Sequence, residues 1–264
     1  MKGGARTLIV TRPAAQAEGW LRELQALGVS ACALPLIDIA ALADASALAA
    51  LRQAAADPSP WRLVMFVSAN AVQHFFAARP AAAAWPAGTL AGATGPGTVA
   101  ALQAAGVPAA QIEAPAAGAA RLDTEALWQR LQRHDWAGRR ALVVRGEDGR
   151  DWLAEALQRA GAQVQFLAGY RRALPVWDAA AQALLAQAQA APARWLWHFS
   201  SSEAVRNLQA LVPGLAWQAA AALATHERIA QAARAAGFGE VRTIAPGVAA
   251  AVAALHAFDA GRPG

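Results

Sequence analysis

The feature that most constrains the fold is an alternation of short apolar runs with helical patterns along the whole chain. The runs 7–10, 63–67, 141–144 and 195–199 read as buried strands, and a helical pattern follows each of them. Strands that alternate with helices of roughly 10–15 residues are typical of βα units around parallel sheets. We therefore predict an α/β fold with largely parallel sheets.

The chain also repeats itself at an interval of 133 residues. Residues 66–72 and 199–205 share the pattern F-x-S-x-x-A-V, and the glycines Gly28 and Gly161, which would end helices, keep the same interval. Matches in register indicate a duplicated unit. The alternative is that all βα units have similar sequence patterns, which could produce similar short motifs without a duplication. Two similar α/β domains would hold a ligand in the crevice between them.

Polar turns follow the carboxyl ends of five predicted strands. Parallel α/β sheets bind ligands at that edge, where helix N-termini present unpaired N–H groups that suit anions. Serine, threonine and asparagine are equally typical as helix N-caps, so a single one carries little weight. The arginines beside them favour an anion site, because capping does not need them. The turns are residues 11–13, 68–70, 94–98, 145–150 and 200–202.

Composition excludes several classes of function. The chain has 264 residues and a formal net charge of +5, and Lys2 is its only lysine, so it contains no phosphate-binding Walker loop. One cysteine, Cys32, excludes an internal disulfide and a multi-cysteine metal site. We find neither a basic block with interleaved aromatics nor a run long enough to span a membrane. We therefore expect a cytoplasmic protein without nucleic-acid or membrane partners.

The turn Gly95-Pro96-Gly97-Thr98 offers a different function. With Ala100 it gives G-x-G-x-x-A, the pattern of a dinucleotide-binding turn. No acidic residue closes a clear strand about 20 residues later, as that motif requires. A nucleotide-dependent enzyme therefore stays an alternative with weak support.

Tyr170 is a candidate proton donor. It is the only tyrosine, it closes an extended run, and Arg171 and Arg172 follow it. Nearby positive charge favours loss of a phenolic proton. The alternative is an edge-strand tyrosine whose hydroxyl lies in water.

Taken in order, the motifs resemble those of the uroporphyrinogen-III synthase family from residue 8 to about residue 238. The sequence departs from the family pattern at Val67, Val99 and Glu227. The matching motifs are V-T-R-P at 10–13, F-x-S-x-N-A-V at 66–72, G-x-x-T-x-x-x-L at 95–102, R-G-x-x-G-R at 145–150, Y-x-R at 170–172, the serine turn at 199–202 and H-x-R-I-A at 226–230.

The resemblance implies a domain organisation. Two similar parallel-sheet α/β domains would be joined by a two-stranded β-ladder, and the chain would start in one domain, cross to the other and return. The first domain would comprise residues 1–34 and 176–264, and the second would comprise 40–165. Residues 34–39 and 166–175 would be the linker strands.

The resemblance also implies a reaction. A cyclising hydro-lyase of this family removes water from hydroxymethylbilane, a linear tetrapyrrole with eight carboxylates, and closes it to uroporphyrinogen III with the last ring inverted. Unassisted closure gives the uninverted isomer, so catalysis is mainly positioning. No metal or organic cofactor is implied. A non-enzymatic two-domain binding protein for an anionic small molecule is the alternative.

Residue roles follow from the same resemblance. Tyr170 would donate a proton to the departing hydroxide. We expect a monomer that makes a transient contact with hydroxymethylbilane synthase, the enzyme that supplies the substrate. The residues expected to bind the substrate are Arg12, Ser68, Asn70, Thr98, Arg145, Gly146, Arg150, Ser200, Ser201, Ser202 and Thr225.

Overall fold

Strands and helices alternate along the chain in the computed structural model, which describes residues 5–80, 83–116, 124–146 and 152–260. Contacts divide the chain into two units. Unit 1 comprises Met1–Asp38 and Ala173–Gly264, and unit 2 comprises Ile39–Arg172. The predicted two-domain α/β class is confirmed, whereas the β-ladder between the domains stays a prediction.

Short strands separate longer helices throughout. The strands are β1 (Thr7–Val10), β2 (Ala31–Ala33), β3 (Asp38–Ala40), β4 (Leu63–Phe66), β5 (Leu90–Ala93), β6 (Ile112–Glu113), β7 (Arg140–Gly146), β8 (Gln163–Ala173), β9 (Trp195–Phe199), β10 (Ala221–Ala224) and β11 (Glu240–Thr243). The helices are α1 (Ala14–Ala26), α2 (Ala45–Ala56), α3 (Ala69–Ala77), α4 (Pro96–Ala104), α5 (Thr124–Leu131), α6 (Trp152–Arg159), α7 (Ala179–Ala190), α8 (Ser202–Leu211), α9 (Glu227–Ala235) and α10 (Val248–Ala260).

The two sheets have the same topology. One has the order β11-β10-β9-β1-β2 and the other has β6-β5-β4-β7-β8, with β3 added beside β8. Apart from β3, neighbouring strands pair in parallel. Val10 aligns with His198 in unit 1, and Val143 aligns with Met65 in unit 2, which is the same register shifted by 133 residues. The sequence repeat therefore extends to the strand order and register.

The outermost strands β6 and β11 were not predicted from the sequence. Both are short and polar at alternate positions, so neither produces an apolar run. Glu113 lies in β6 with only 4% of its surface exposed. It accepts a hydrogen bond from Arg133, lies 3.1 Å from Nε2 of His134, and pairs with Arg130. The two arginines compensate the charge of a carboxylate that would be costly to bury without a partner.

The sheet of unit 1 is covered by helices on both faces. On one face, Leu8 and Val10 pack against Leu24 of α1 and against Leu255 and Phe258 of α10. The opposite face carries aromatic rings, and Trp197, Phe199, Trp217 and Phe238 contact one another there. Burial of each large apolar side chain contributes roughly 1.5–3 kcal/mol, so the sheet edge that carries the polar turns is held on a rigid core.

The sheet of unit 2 is built in the same way. Phe66 packs edge-on against Phe75 of α3, with ring centroids 5.3 Å apart, and Trp85 completes this side of the core. Met65 faces the other side, where it packs in the cluster that contains Leu157 of α6. Alternate residues of β4 thus serve opposite faces, as a strand with a helix layer on each side requires.

Two glycines end equivalent helices in the two units. Gly28 follows α1 with φ +70°, and Gly161 follows α6 with φ +94°. This left-handed conformation suits glycine because it has no Cβ. After α1 the chain turns into β2, and after α6 it turns into β8, the strand that carries Tyr170.

Candidate active site

Apart from residues 147–150, which lie outside the described part of the chain, the predicted polar turns lie at the carboxyl edges of the two sheets. In unit 1, β1 leads to Arg12, β9 to Ser200 and β10 to Thr225. In unit 2, β4 leads to Ser68 and β7 ends at Gly146. The carboxyl ends of parallel strands lie along one edge of a sheet, so each unit gathers its polar groups along that edge.

Tyr170 is buried, with 3% of its surface exposed, because β8 lies between β3 and β7. Its hydroxyl oxygen lies 3.2 Å from Oγ of Ser68. Ser68 is also the N-cap of α3, since its Oγ accepts the N–H of Ala71 at 3.2 Å. A serine hydroxyl that accepts one bond still has its own proton to donate. The alternative of an edge-strand tyrosine with its hydroxyl in water is wrong.

Gly146 and His74 pack against the Tyr170 ring. Gly146 is the register partner of Tyr170, and a Cβ at this glycine would lie 3.2 Å from Cε2 of the tyrosine. Any larger residue there would push the ring away. The His74 ring stacks on the Tyr170 ring with centroids 5.8 Å apart, and burial lowers the pKa of His74, so the imidazole is neutral near pH 7.

The other candidates of unit 2 have different surroundings. Asn70 and Thr98 are buried near the starts of α3 and α4, with 8% and 6% of their surfaces exposed. Among the described residues, no hydrogen bond joins either side chain to Tyr170 or Ser68. The Arg145 guanidinium lies over the Phe166 ring, 4.0 Å from its centroid. Arg150 lies outside the described residues.

In unit 1 the side chains of His198 and Arg12 both contact the ring of Trp20. His198 is fully buried, and its ring lies 4.4 Å from the Trp20 ring. Cζ of the half-buried Arg12 lies 5.1 Å from the centroid of the same indole. Burial, and then the charge of Arg12, lower the pKa of His198 to about 4, so this imidazole is neutral. Thr11 Oγ1 donates to the His198 carbonyl at 2.7 Å and joins the ends of β1 and β9.

The serines after β9 differ from one another in their contacts. Ser201 is the N-cap of α8, and its Oγ accepts the N–H of Glu203 at 3.1 Å. Ser202 Oγ is buried without a hydrogen-bond partner among the described residues. Ser200 lies in the bend before α8, and the N–H of Thr225 donates to the Phe199 carbonyl at 3.1 Å. The structure therefore gives Ser201 a capping role, whereas Ser202 Oγ is buried and has no hydrogen-bond partner among the described residues.

Sequence reasoning missed three contacting residues: Trp20, His74 and His198. His198 lies near the end of the apolar run W-L-W-H-F and has no second histidine at a ligand spacing, so the sequence favours packing for this residue. Trp20 and His74 lie on helices whose N-termini border predicted turns, and that was the only signal available. Their partners become visible only when the strands are placed side by side.

One cavity of unit 1 lies away from these residues. It has a volume of about 550 Å³ and is mostly apolar, with Ala14, Pro35, Ile37, Trp177 and Leu184 among its lining. None of the predicted site residues lines it. Within the described ranges, no three histidine, cysteine or acidic side chains lie together as a metal site. No described helix combines the length and apolarity needed to cross a bilayer.

Fold and site together define a class of two-domain α/β protein with hydroxyl groups, arginines and helix N-termini along parallel-sheet edges, an arrangement suited to a polyanionic ligand. The chain matches the family model described as uroporphyrinogen-III synthase HemD over residues 18–250. It belongs to the uroporphyrinogen-III synthase family.

Individual relatives agree with this assignment. The chain is 32% identical over 179 residues to the uroporphyrinogen-III synthase of Salmonella typhimurium strain LT2, which covers 67% of this chain and 70% of that protein. It resembles the structure of a mutant uroporphyrinogen III synthase from the extremely thermophilic bacterium Thermus thermophilus, with a TM-score of 0.52, 17% identity, and 98% and 100% of the two chains covered. It also resembles a uroporphyrinogen-III synthetase from Helicobacter pylori 26695, with a TM-score of 0.56, 13% identity, and 96% and 99% covered. At these identities the structures show the fold alone.

The family membership confirms the predicted enzyme class, a cyclising hydro-lyase of tetrapyrrole biosynthesis. No observation supports the alternative of a non-enzymatic binding protein. The dinucleotide alternative gains no support either, because Gly95 has an ordinary extended φ of −135° and α4 begins with the next residue, Pro96.

Proposed function

We propose that Tyr170 is the proton donor in the conversion of hydroxymethylbilane to uroporphyrinogen III. The observation that carries the proposal is the contact between a buried phenol and Ser68, whose Oγ is 3.2 Å away at the N-terminus of α3. A general acid must be held in place and partly shielded from water to direct its proton. Tyr170 meets both conditions.

The reaction balances without a cofactor. The C–O bond of the hydroxymethyl group breaks, hydroxide takes the Tyr170 proton and leaves as water, and an azafulvenium cation remains. The substituted α-carbon of the last pyrrole attacks that cation, and the bond between this carbon and its original methylene bridge then breaks. The released bridge carbon bonds to the free α-carbon of the same ring, which is thereby inverted, and loss of the proton from that carbon restores the pyrrole as the macrocycle closes. The protein mainly selects this attack over the spontaneous closure to the uninverted isomer.

Ser68 assists by stabilising the phenolate. Its Oγ already accepts the Ala71 N–H, so its own proton can be donated to the Tyr170 oxygen when the phenol loses its proton. The N–H groups at the start of α3 add a positive potential at the same point. The neutral His74 ring supports the tyrosine through stacking without competing for its charge.

We propose that the remaining candidates bind substrate carboxylates. Helix N-termini and arginines suit an octa-anion, because charge-assisted hydrogen bonds to carboxylates are the stronger ones. For Ser201 and Gly146 the backbone N–H groups would be the donors, since their other contacts are structural. The full set is Arg12, Ser68, Asn70, Thr98, Arg145, Gly146, Arg150, Ser200, Ser201, Ser202 and Thr225.

We further infer that the domains are 1–34 with 176–264 and 40–165, linked by 34–39 and 166–175. The division of contacts at Asp38 and Ala173 supports this proposal. We propose a cytoplasmic monomer that receives its substrate in a transient contact with hydroxymethylbilane synthase. Because the substrate cyclises on its own, a short transfer would limit its loss.

The test of the proposed function is an isomer assay. Purified protein is given hydroxymethylbilane, the products are oxidised to porphyrins, and isomers I and III are resolved chromatographically. We expect isomer III at a rate well above spontaneous closure. Isomer I alone, at the spontaneous rate, would refute the proposed function.

A further inference from the structure

Four of the buried polar atoms that have no hydrogen-bond partner among the described residues lie near the carboxyl ends of β1 and β9 in unit 1. They are Nε of Arg12, both ring nitrogens of His198, and Oγ of Ser202. Buried polar groups in native proteins are normally hydrogen-bonded, because an unpaired one costs about 1–3 kcal/mol. Four such atoms around two neighbouring strands, β1 and β9, indicate a site whose partner is a ligand.

Arg12 supplies the charge of this site. None of the hydrogen bonds or ion pairs among the described residues involves its side chain. Burial lowers the pKa of Arg12, and no carboxylate of the described part of the chain raises it. Other arginines of the chain differ: Arg133 pairs with Glu113, and Arg234 pairs with Glu227 at 2.8 Å. An arginine is thus held half-buried without a counter-charge, which a protein tolerates at a cost.

The neighbours of Arg12 hold the guanidinium without cancelling its charge. The Trp20 indole lies 5.1 Å from Cζ of Arg12, within the range of a cation–π contact. On the same indole lies His198, which is neutral and therefore provides no counter-ion. The guanidinium group of arginine is planar, and its N–H donors lie in that plane. When one face of the group stacks on an aromatic ring, the donors at its edge can still bind a planar carboxylate.

We propose that Arg12, stacked on Trp20 beside a neutral His198, forms an anion subsite of unit 1 that binds a carboxylate group of the substrate. The identity of the carboxylate as a substrate arm rests on the proposed function, whereas the subsite itself rests on the unpaired charge. Trp20 and His198 are positioning residues in this subsite, and Ser202 is available as a further hydroxyl donor.

The subsite carries a consequence for stability. Because Arg12 has no counter-charge among the described residues, we expect Arg12→Leu to remove an unfavourable charge while it keeps part of the apolar contact with Trp20. We expect the variant to unfold about 2–4 °C higher without ligand, the shift that a gain of roughly 1 kcal/mol gives in a protein of this size. The matched control is Arg22→Leu, because Arg22 is an exposed arginine on the same helix as Trp20.

The direct test uses the wild-type protein and a small probe. Arginine Nε–Hε signals are followed by NMR while succinate, a dicarboxylate, is added, and the Arg12 signal is identified by its loss in Arg12→Leu. We expect that signal to shift saturably with succinate and to respond little to chloride at equal ionic strength. An Arg12 signal that follows ionic strength alike in both salts, or an Arg12→Leu variant that unfolds below wild type, would overturn the subsite.

Steady-state kinetics separate this proposal from the proposed function. Arg12→Leu should raise KM for hydroxymethylbilane about tenfold or more, with a much smaller effect on kcat, and Arg22→Leu should match wild type. An unchanged KM while wild type still forms isomer III refutes the subsite alone. Formation of isomer I only, together with saturable succinate binding at Arg12, refutes the proposed function and leaves the subsite standing.

Discussion

The carboxyl edges of the two sheets share a framework but differ in how their polar groups are paired. Ser68 and Ser201, 133 residues apart, both cap the helix that follows their strand. In unit 2 the capping serine also contacts Tyr170, so the polar groups are paired before any ligand arrives. In unit 1, Arg12, His198 and Ser202 have buried atoms without partners. The two units therefore share one fold but differ at the sheet edge. In unit 2 the proposed proton donor, Tyr170, already contacts Ser68, whereas in unit 1 Arg12 has no counter-charge among the described residues.

Equivalent positions sharpen this contrast. The counterpart of His198 in unit 2 is Met65, a buried apolar side chain of the core, and the counterpart of Arg12 is Arg145. Both arginines lie over an aromatic ring, Arg12 over Trp20 and Arg145 over Phe166. The aromatic support of an arginine is thus common to both units, whereas the fully buried His198 of unit 1 has an apolar counterpart, Met65, in unit 2.

We expect the largest effect from the variant that removes the hydroxyl contact between Tyr170 and Ser68 in unit 2. Tyr170→Phe keeps the buried ring but removes the proton, and a positioned general acid is typically worth 10²–10⁴ in rate. We expect kcat to fall roughly 100-fold or more, with KM within a few-fold of wild type. The thermal unfolding midpoint should move little, since the phenyl ring fills the same space. Turnover equal to wild type would remove Tyr170 from the mechanism.

The next prediction concerns His198 of unit 1 and the pH dependence of the free energy of unfolding. The pKa of His198 is about 4 in the folded state, against 6.5 ordinarily, so between these values the unfolded state binds the proton first. Stability is therefore retained above pH 6.5 and lost as the pH falls towards 4, by on the order of 3 kcal/mol from this residue.

The matching variant is His198→Phe, which keeps a ring against Trp20 but cannot titrate. Urea unfolding at several pH values between 7 and 4 should show a flatter decline for the variant than for wild type. Equal slopes in the two proteins would assign the acid sensitivity to other groups.

The smallest effect compares the two capping serines. Ser68→Ala and Ser201→Ala each remove one N-cap, and each should lower the free energy of unfolding by about 1 kcal/mol. Only Ser68→Ala also removes the partner of Tyr170, so it alone should lower kcat, by roughly tenfold. A similar loss of kcat in both variants would show that the contact between Ser68 and Tyr170 does not distinguish the roles of the two serines.

Much of the fold could be predicted from local signals. The predicted strand at 195–199 has the bounds of β9, and the predicted helix after it is α8, which begins after its N-cap Ser201. The strands β6 and β11 could not be predicted, since their stability comes from pairing along the sheet rather than from an apolar run. Polar residues such as Glu113 and Arg242 leave no strand pattern there.

The candidate site could be predicted only in part. Its turns and Tyr170 were visible as residue types in family motifs, but contacts between distant residues were not. Ser68 and Tyr170 are 102 residues apart, and Thr11 and His198 are 187 apart, so their meeting depends on strand order. For the same reason, no local pattern could show that Arg12 lacks a counter-ion or that His198 is neutral beside it.

The most direct test of this division of roles is a side-by-side measurement of kcat and KM for isomer III formation by Tyr170→Phe and Arg12→Leu. The account predicts that Tyr170→Phe lowers mainly kcat, because the phenol acts in bond breaking, and that Arg12→Leu raises mainly KM, because the guanidinium binds a substrate carboxylate. If both variants change the same constant to the same extent, the two sheet edges do not perform separate tasks and the account is contradicted.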